Sequence, residues 1–139
     1  MLTLNHARTI MSAGFAKAAE MGLKPMAIVV LDAGGHVIAF ERQDGSPFIR
    51  FDIAQGKAWG AIAMGTSSRW FHDTSETRPH FVQGLNAVTG GRIIPVPGGL
   101  RVLDANGVAI GAVGVTGDTS DNDEIVAAAG IAAAGLAAG

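Results

Sequence analysis

The fold is read from one stretch, Val30-Leu31-Asp32-Ala33-Gly34-Gly35-His36-Val37-Ile38-Ala39-Phe40. It continues an apolar run from Met26 to Leu31 that is bounded by Pro25 and Asp32. That run is too short for a helix and reads as a buried strand. Asp32 to His36 is a tight turn, and Val37 to Phe40 resumes as a second strand that ends at Glu41-Arg42. The two strands form a β-hairpin.

Upstream of the hairpin, Thr3 is an N-cap for a helix from about Leu4 to Met21, closed by Gly22. Downstream, Asp44-Gly45-Ser46-Pro47 is a turn into a second helix. Ser46 is expected to cap it and Pro47 to take its first position. Ile49, Ile53, Ala54, Ala58, Ala61 and Ile62 give that helix its buried stripe, to about Met64. Gly56 and Gly60 within it either mark a face that another helix approaches closely or are neutral. Thr66-Ser67-Ser68 opens a short helix over Trp70 to Asp73, and residues 74–91 should hold a further short helix and a loop. Arg92 to Val96 reads as an edge strand because of Pro95. Leu100 to Leu103 and Val108 to Val115 are strands joined by the Asn106-Gly107 turn. Asp121 with Glu124 forms a capping box for an alanine-rich last helix, Ile125 to Leu136. The expected architecture is one mixed α/β (α+β) domain over residues 1–139, with five strands.

Composition narrows the function. The chain has 139 residues, ten basic and twelve acidic side chains and a net charge of −2. There is no basic stripe for nucleic acid. Without cysteine, disulfides, thiol nucleophiles and sulfur-ligated metals are excluded. No apolar run approaches a membrane span, and the N-terminus lacks the pattern of a signal peptide. The expectation is therefore a cytoplasmic protein with no membrane or nucleic-acid partner. Apolar residues make up 48% and charged residues only 16%. Such a chain would expose apolar surface as a monomer, so a homo-oligomer is expected.

Three groups of residues could carry chemistry. His72 and His80 flank a segment with Asp73, Glu76 and Arg78, the only place where imidazoles, carboxylates and a guanidinium gather. A ligand site and a solvated loop explain it equally well, and the eight-residue spacing matches no zinc signature. His6 lies in the first turn of a helix, and His36 in the hairpin turn. The second group is Arg42, Asp44 and Lys57. Lys57 stands in an apolar helix, where it either extends its ammonium to water, pairs with a buried carboxylate, or joins Arg42 in holding a small anion. The third is glycine-rich: Thr89-Gly90-Gly91, Pro97-Gly98-Gly99 and Gly114 to Gly117. None is a nucleotide fingerprint. Asp118, Asp121 and Asp123 at the last helix start would repel phosphate, so the glycines point to backbone amides beside a pocket. No nucleophile elbow surrounds Ser67 or Ser68.

The hairpin Val30–Gly45, the block Ile53-Ala54-Gln55-Gly56-Lys57-Ala58, Pro97-Gly98-Gly99-Leu100, Ile110–Gly117 and Asp121-Asn122-Asp123-Glu124 occur in this order over nearly the whole chain. Together they resemble the GlcG/HbpS-like family, which also forms the C-terminal domain of PduO-type corrinoid adenosyltransferases. The resemblance implies a profilin-like fold, a central antiparallel sheet of about five strands flanked by helices. It also implies homo-oligomers built from dimers, tetramers or octamers among them. Some members bind haem, some are linked to haem degradation or redox sensing, and others lie near glycolate or diol metabolism. Asp32, Gly34, Gly35, Arg42, Asp44, Lys57, Gly98, Gly99 and Gly117 match family positions. The haem ligand differs among members, so the resemblance assigns none. The leading expectation is a homo-oligomer that binds haem or a related tetrapyrrole, with His72, His80 or His6 as axial donor and Arg78 or Arg42 facing a propionate. The alternative is a protein acting on a small hydroxy acid or other carboxylate. Its site would use Arg42, Asp44 and Lys57, beside the amides of Gly98 and Gly99. A third reading is an oligomerisation module with no ligand.

Overall fold

A computed structural model describes residues 1–139. The hairpin stands as read: β1 (Ala27–Asp32) pairs antiparallel with β2 (Val37–Arg42). Asp32 Oδ1 accepts from the backbone N–H groups of Gly34 (2.9 Å) and His36 (3.0 Å), which fixes the turn. The same device recurs at Asp104, whose Oδ1 accepts from Asn106 and Val108. That turn joins β3 (Gly99–Leu103) to β4 (Ala109–Thr116). With β5 (Ala137–Ala138) the sheet has the order β2-β1-β4-β3-β5, antiparallel throughout. The chain is therefore an α+β fold, a five-stranded sheet with five helices.

The two faces of the sheet are covered differently. Ile28, Val30, Leu100, Val102, Val113 and Val115 pack against α1 (Leu4–Glu20) and α5 (Ser120–Ala133) in the larger core. The other face presents Val29, Leu31 and Ala112 to Ala54 and Ala58 of α2 (Arg50–Met64). This second contact is unusually close. A Cβ on Gly114 would collide with the Ala54 carbonyl oxygen, and one on Gly99 with the Lys57 carbonyl. Beside α2, α3 (Arg69–Thr77) and α4 (Pro79–Val88) build a small core from Phe71, Val82 and Ile93.

Several local expectations need correction. α1 is capped by Thr3 as expected, but α2 begins at Arg50 rather than at Pro47. Pro47 instead accepts a turn hydrogen bond from Arg50 N, and the Ser46 hydroxyl caps nothing. Ser68 precedes α3 without capping it; its hydroxyl donates to Val96 O (2.7 Å) and accepts from Gly99 N (2.8 Å). The N-cap of α5 is Thr119, not Asp121. Asp121 and Glu124 turn outward to the Arg69 guanidinium, a charged partner stronger than a backbone amide. Residues 92–96 form no strand. Pro95 and Pro97 remove two donors, and the segment lies along α2 with Ile94 N on Gly56 O (3.3 Å). At Gly60 another helix does come close, through Phe71 of α3, whereas Gly56 meets Ile94 and the Arg92 carbonyl of the irregular segment. The fifth strand comes from the C-terminal Ala137–Ala138, because α5 stops at Ala133 and Gly135 turns at φ +75°.

A buried interaction joins α2 to α5 across the sheet. Lys57 of α2 donates from Nζ to Asp123 Oδ2 of α5 (3.0 Å) and to Val115 O of β4 (3.0 Å). Asp123 Oδ1 accepts from Asp118 N (2.9 Å). The two side chains are only 2% and 1% exposed. Burial pushes the Lys57 ammonium down from its usual range and the Asp123 carboxyl up, and each charge opposes the shift of the other. Removing one partner strands a buried charge, so Lys57→Ala should cost ~3–5 kcal/mol in urea denaturation. The double variant Lys57→Met/Asp123→Leu should recover most of that loss. A loss below ~1 kcal/mol, the size of an exposed pair, would contradict this assignment.

Asp118 ties the α5 start to the loop before β1. Its carboxylate accepts from Asn122 Nδ2, Thr119 N and Lys24 N. These bonds hold it at about 2, below the usual 3.8. A depressed carboxylate contributes its full stability above its unfolded value and loses it as pH falls through the folded one. Stability should therefore drop between pH 3.8 and about 2, and Asp118→Asn should flatten that acid limb. An identical acid limb in Asp118→Asn would contradict the cause given.

Candidate functional site

The α3–α4 surface brings together most of the sequence-predicted haem candidates. His72 is on α3, Arg78 joins the two helices, and His80 is in the first turn of α4. His72 is half-exposed, with Nδ1 3.1 Å from Asp73 Oδ1 and Nε2 3.7 Å from Glu76 Oε1. In the tautomer protonated on Nδ1, His72 donates to Asp73 and keeps Nε2 as a base or metal donor. His80 is exposed and engages no carboxylate. The Arg78 guanidinium lies 4.3 Å over the Phe81 ring, and Trp70 meets Phe81 edge to face at 6.3 Å. Phe81 and Val88 remain exposed apolar groups on α4.

These residue types fit a haem: an imidazole oriented by a carboxylate, an apolar flank and a cation for a propionate. The enclosed space does not fit within one chain. The pocket between α2 and this helical pair, lined by Gly60, Met64, Phe71, Leu85 and Ile93, holds only about 130 Å³. Drug-sized ligands need ~300 Å³ or more. No three histidine or carboxylate side chains converge as ligands for a separate metal ion.

The other candidates are placed elsewhere. His6 is part of the α1 cap: its Nδ1 accepts from Thr3 N, and its own N–H donates to Thr3 Oγ1, both at 3.1 Å. That helix covers the sheet face opposite α2. His36 stays in the hairpin turn, 3.3 Å from Asp32. Arg42 and Asp44 line an open cleft of about 570 Å³ with Ala18, Leu23, Pro25 and Gln43. Lys57 is not among them. Gly98 and Gly99 face Lys57 rather than Arg42, and a Cβ on Gly98 would sit 2.9 Å from Lys57 Nζ. The small-anion set of Arg42, Asp44, Lys57, Gly98 and Gly99 therefore does not assemble as one constellation.

Two features escaped the sequence reading. Asp123 is the partner of Lys57, although its place in the first turn of a helix made it look like a dipole-compensating acid. A lysine amid alanines was the available signal that a buried acid had to exist. Arg92 lies 4.0 Å over the Trp59 ring, closing one side of a 240 Å³ pocket with Asp52, Gln55 and Gly91. Nothing in the local pattern links Arg92 to Trp59.

Comparison with known proteins agrees with this architecture. A 15.0 kDa protein of Citrobacter freundii, encoded in the dhaT-dhaS intergenic region, is 32% identical over 126 residues, covering 91% of this chain and 87% of that protein. The corrinoid adenosyltransferase PduO of Salmonella typhimurium is 28% identical over 109 residues, which are 78% of this chain but only 32% of PduO. The crystal structure of a PduOC:heme complex superposes with a TM-score of 0.87 at 24% identity, covering 98% of this chain and 96% of that one. Residues 2–132 match the model of the family described as haem degrading protein HbpS-like. With that match over nearly its whole length, the chain belongs to the HbpS-like family.

Proposed function

We propose that this protein binds haem or a related tetrapyrrole on the α3–α4 surface, with His72 as axial donor, His80 as the second candidate and Arg78 facing a propionate. The observation that carries the reading is the His72–Asp73 contact at 3.1 Å beside the Arg78–Phe81 stack. It supplies an oriented imidazole, a cation and an apolar edge on adjoining helices. Family membership supports the same ligand. A single chain does not enclose a slot of the required size, so the cavity is completed by a second copy of the chain, in an oligomer built from dimers. The exposed Phe81 and Val88 are the surface such a copy would cover. Bound haem would supply a redox-active iron, in keeping with a haem-degrading or redox-sensing role. The alternative, action on a small hydroxy acid by Arg42, Asp44 and Lys57, has less support because Lys57 is engaged with Asp123. No helix is long and apolar enough to cross a membrane, and we place the protein in the cytoplasm.

Haemin titration of the whole chain at micromolar concentration tests this. A Soret shift is expected that His72→Ala reduces or abolishes, while His6→Ala leaves it in place. No Soret change, or a change that survives both His72→Ala and His80→Ala, overturns the reading. Sedimentation is expected to show a dimer or larger assembly; a stable single-subunit particle would remove the shared cavity.

A further inference from the structure

We propose that a polar pocket at the start of α2 is a binding site for a small oxyanion, held by Arg50, Lys24 and Ser46. The pocket has a volume of about 240 Å³ and is lined by Lys24, Ser46, Arg50, Gly117 and neighbouring prolines. Apart from Pro25 and Pro47 it has no apolar side chain, and it has no carboxylate. It shares no residue with the α3–α4 surface, so it stands or falls independently of the haem reading.

Charge is the first argument. Neither Lys24 nor Arg50 takes part in an ion pair. Arg50 spends one nitrogen on Thr116 Oγ1 (2.7 Å), which holds the guanidinium in place and leaves its other donors available. The nearby acids are already committed. Asp118 accepts from Lys24 N, Thr119 N and Asn122, and Asp123 from Lys57 and Asp118 N. Two cations thus share a pocket that no carboxylate lines, with Asp118 and Asp123 acting on them only from outside it.

Unsatisfied donors are the second argument. Ser46 is only 7% exposed, yet its hydroxyl has no hydrogen-bond partner. Buried hydroxyls are rarely left so. An oxyanion in the adjoining pocket would give it one after a rotation about χ1. The first-turn amides of α2 add little, because Arg50 N and Phe51 N already donate to Pro47 O and Phe48 O, so the site rests on its side chains. The acid in that first turn, Asp52, lines the Trp59–Arg92 pocket instead. Arg50 offers the paired donors that suit a carboxylate or a phosphate group.

Titration calorimetry of the whole chain with inorganic phosphate, and separately with acetate, at constant ionic strength tests the site. Saturable binding is expected for at least one anion. The tighter of the two shows whether the natural ligand presents a phosphate or a carboxylate. Lys24→Gln and Arg50→Gln should each weaken binding about tenfold, the usual effect of losing one charge-assisted contact. Ser46→Ala should weaken binding without lowering the melting temperature of the free protein, a split that a purely structural serine would not produce. Because Arg50 also holds Thr116, Lys24→Gln and Ser46→Ala decide the matter if Arg50→Gln does not fold. No saturable heat with either anion, or affinity unchanged in Lys24→Gln and Ser46→Ala, overturns the proposal.

Discussion

Lys57 and Asp123 come from helices on opposite faces of the sheet and meet beside the end of its central strand, β4, with almost no exposure. A charge in that position is tolerated only when its partner and its remaining hydrogen bonds are all in place. α2, α5 and the end of β4 must therefore be in register at once. The glycines around the pair follow from the same demand. Gly99 and Gly114 let the α2 backbone lie directly on β3 and β4, and Gly98, at φ +126°, gives the ammonium room beside Val115 O. Close helix–sheet contact and the buried pair are two parts of one arrangement.

The periphery is built on looser terms. α3 and α4 rest on the small cluster of Phe71, Val82 and Ile93, and Arg69 fastens α3 to the first turn of α5 through Asp121 and Glu124. This layer leaves half-exposed aromatics, two imidazoles and Arg78 at the surface. A rigid sheet with a polar and aromatic helical pair on its flank separates stability from ligand contact. The start of α2 adds a second polar feature, where Arg50 and Ser46 border a pocket next to the framework yet outside the buried pair.

Strands and helices were legible where local chemistry leaves one solution. The run Met26–Leu31, the aspartate-led turns at Asp32 and Asp104, and the Thr3 cap each reach their structure within a few residues. Readings failed where two local solutions compete and a distant partner chooses. Asp121 is as good a cap as Thr119 until Arg69 is placed. Arg92–Val96 is apolar enough for a strand, but Pro95 leaves it short of a donor, and the edge position goes to two C-terminal alanines. For the site, the His72–Arg78–His80 grouping is local and could be read directly. Pairing of Lys57 with a buried carboxylate was one of the options its apolar helix left open, but the identity of that partner, sixty-six residues away, could not be read.

If the buried pair couples the two helical layers, they should open together. Native-state hydrogen exchange measures this directly, by comparing the amides of Ala58 and Ala61 in α2 with those of Ala127 and Ile131 in α5. The account predicts that both sets exchange only through one shared opening, with the same free energy and the same denaturant dependence as global unfolding. Exchange in α5 through a separate, lower-energy opening while α2 stays protected would contradict it.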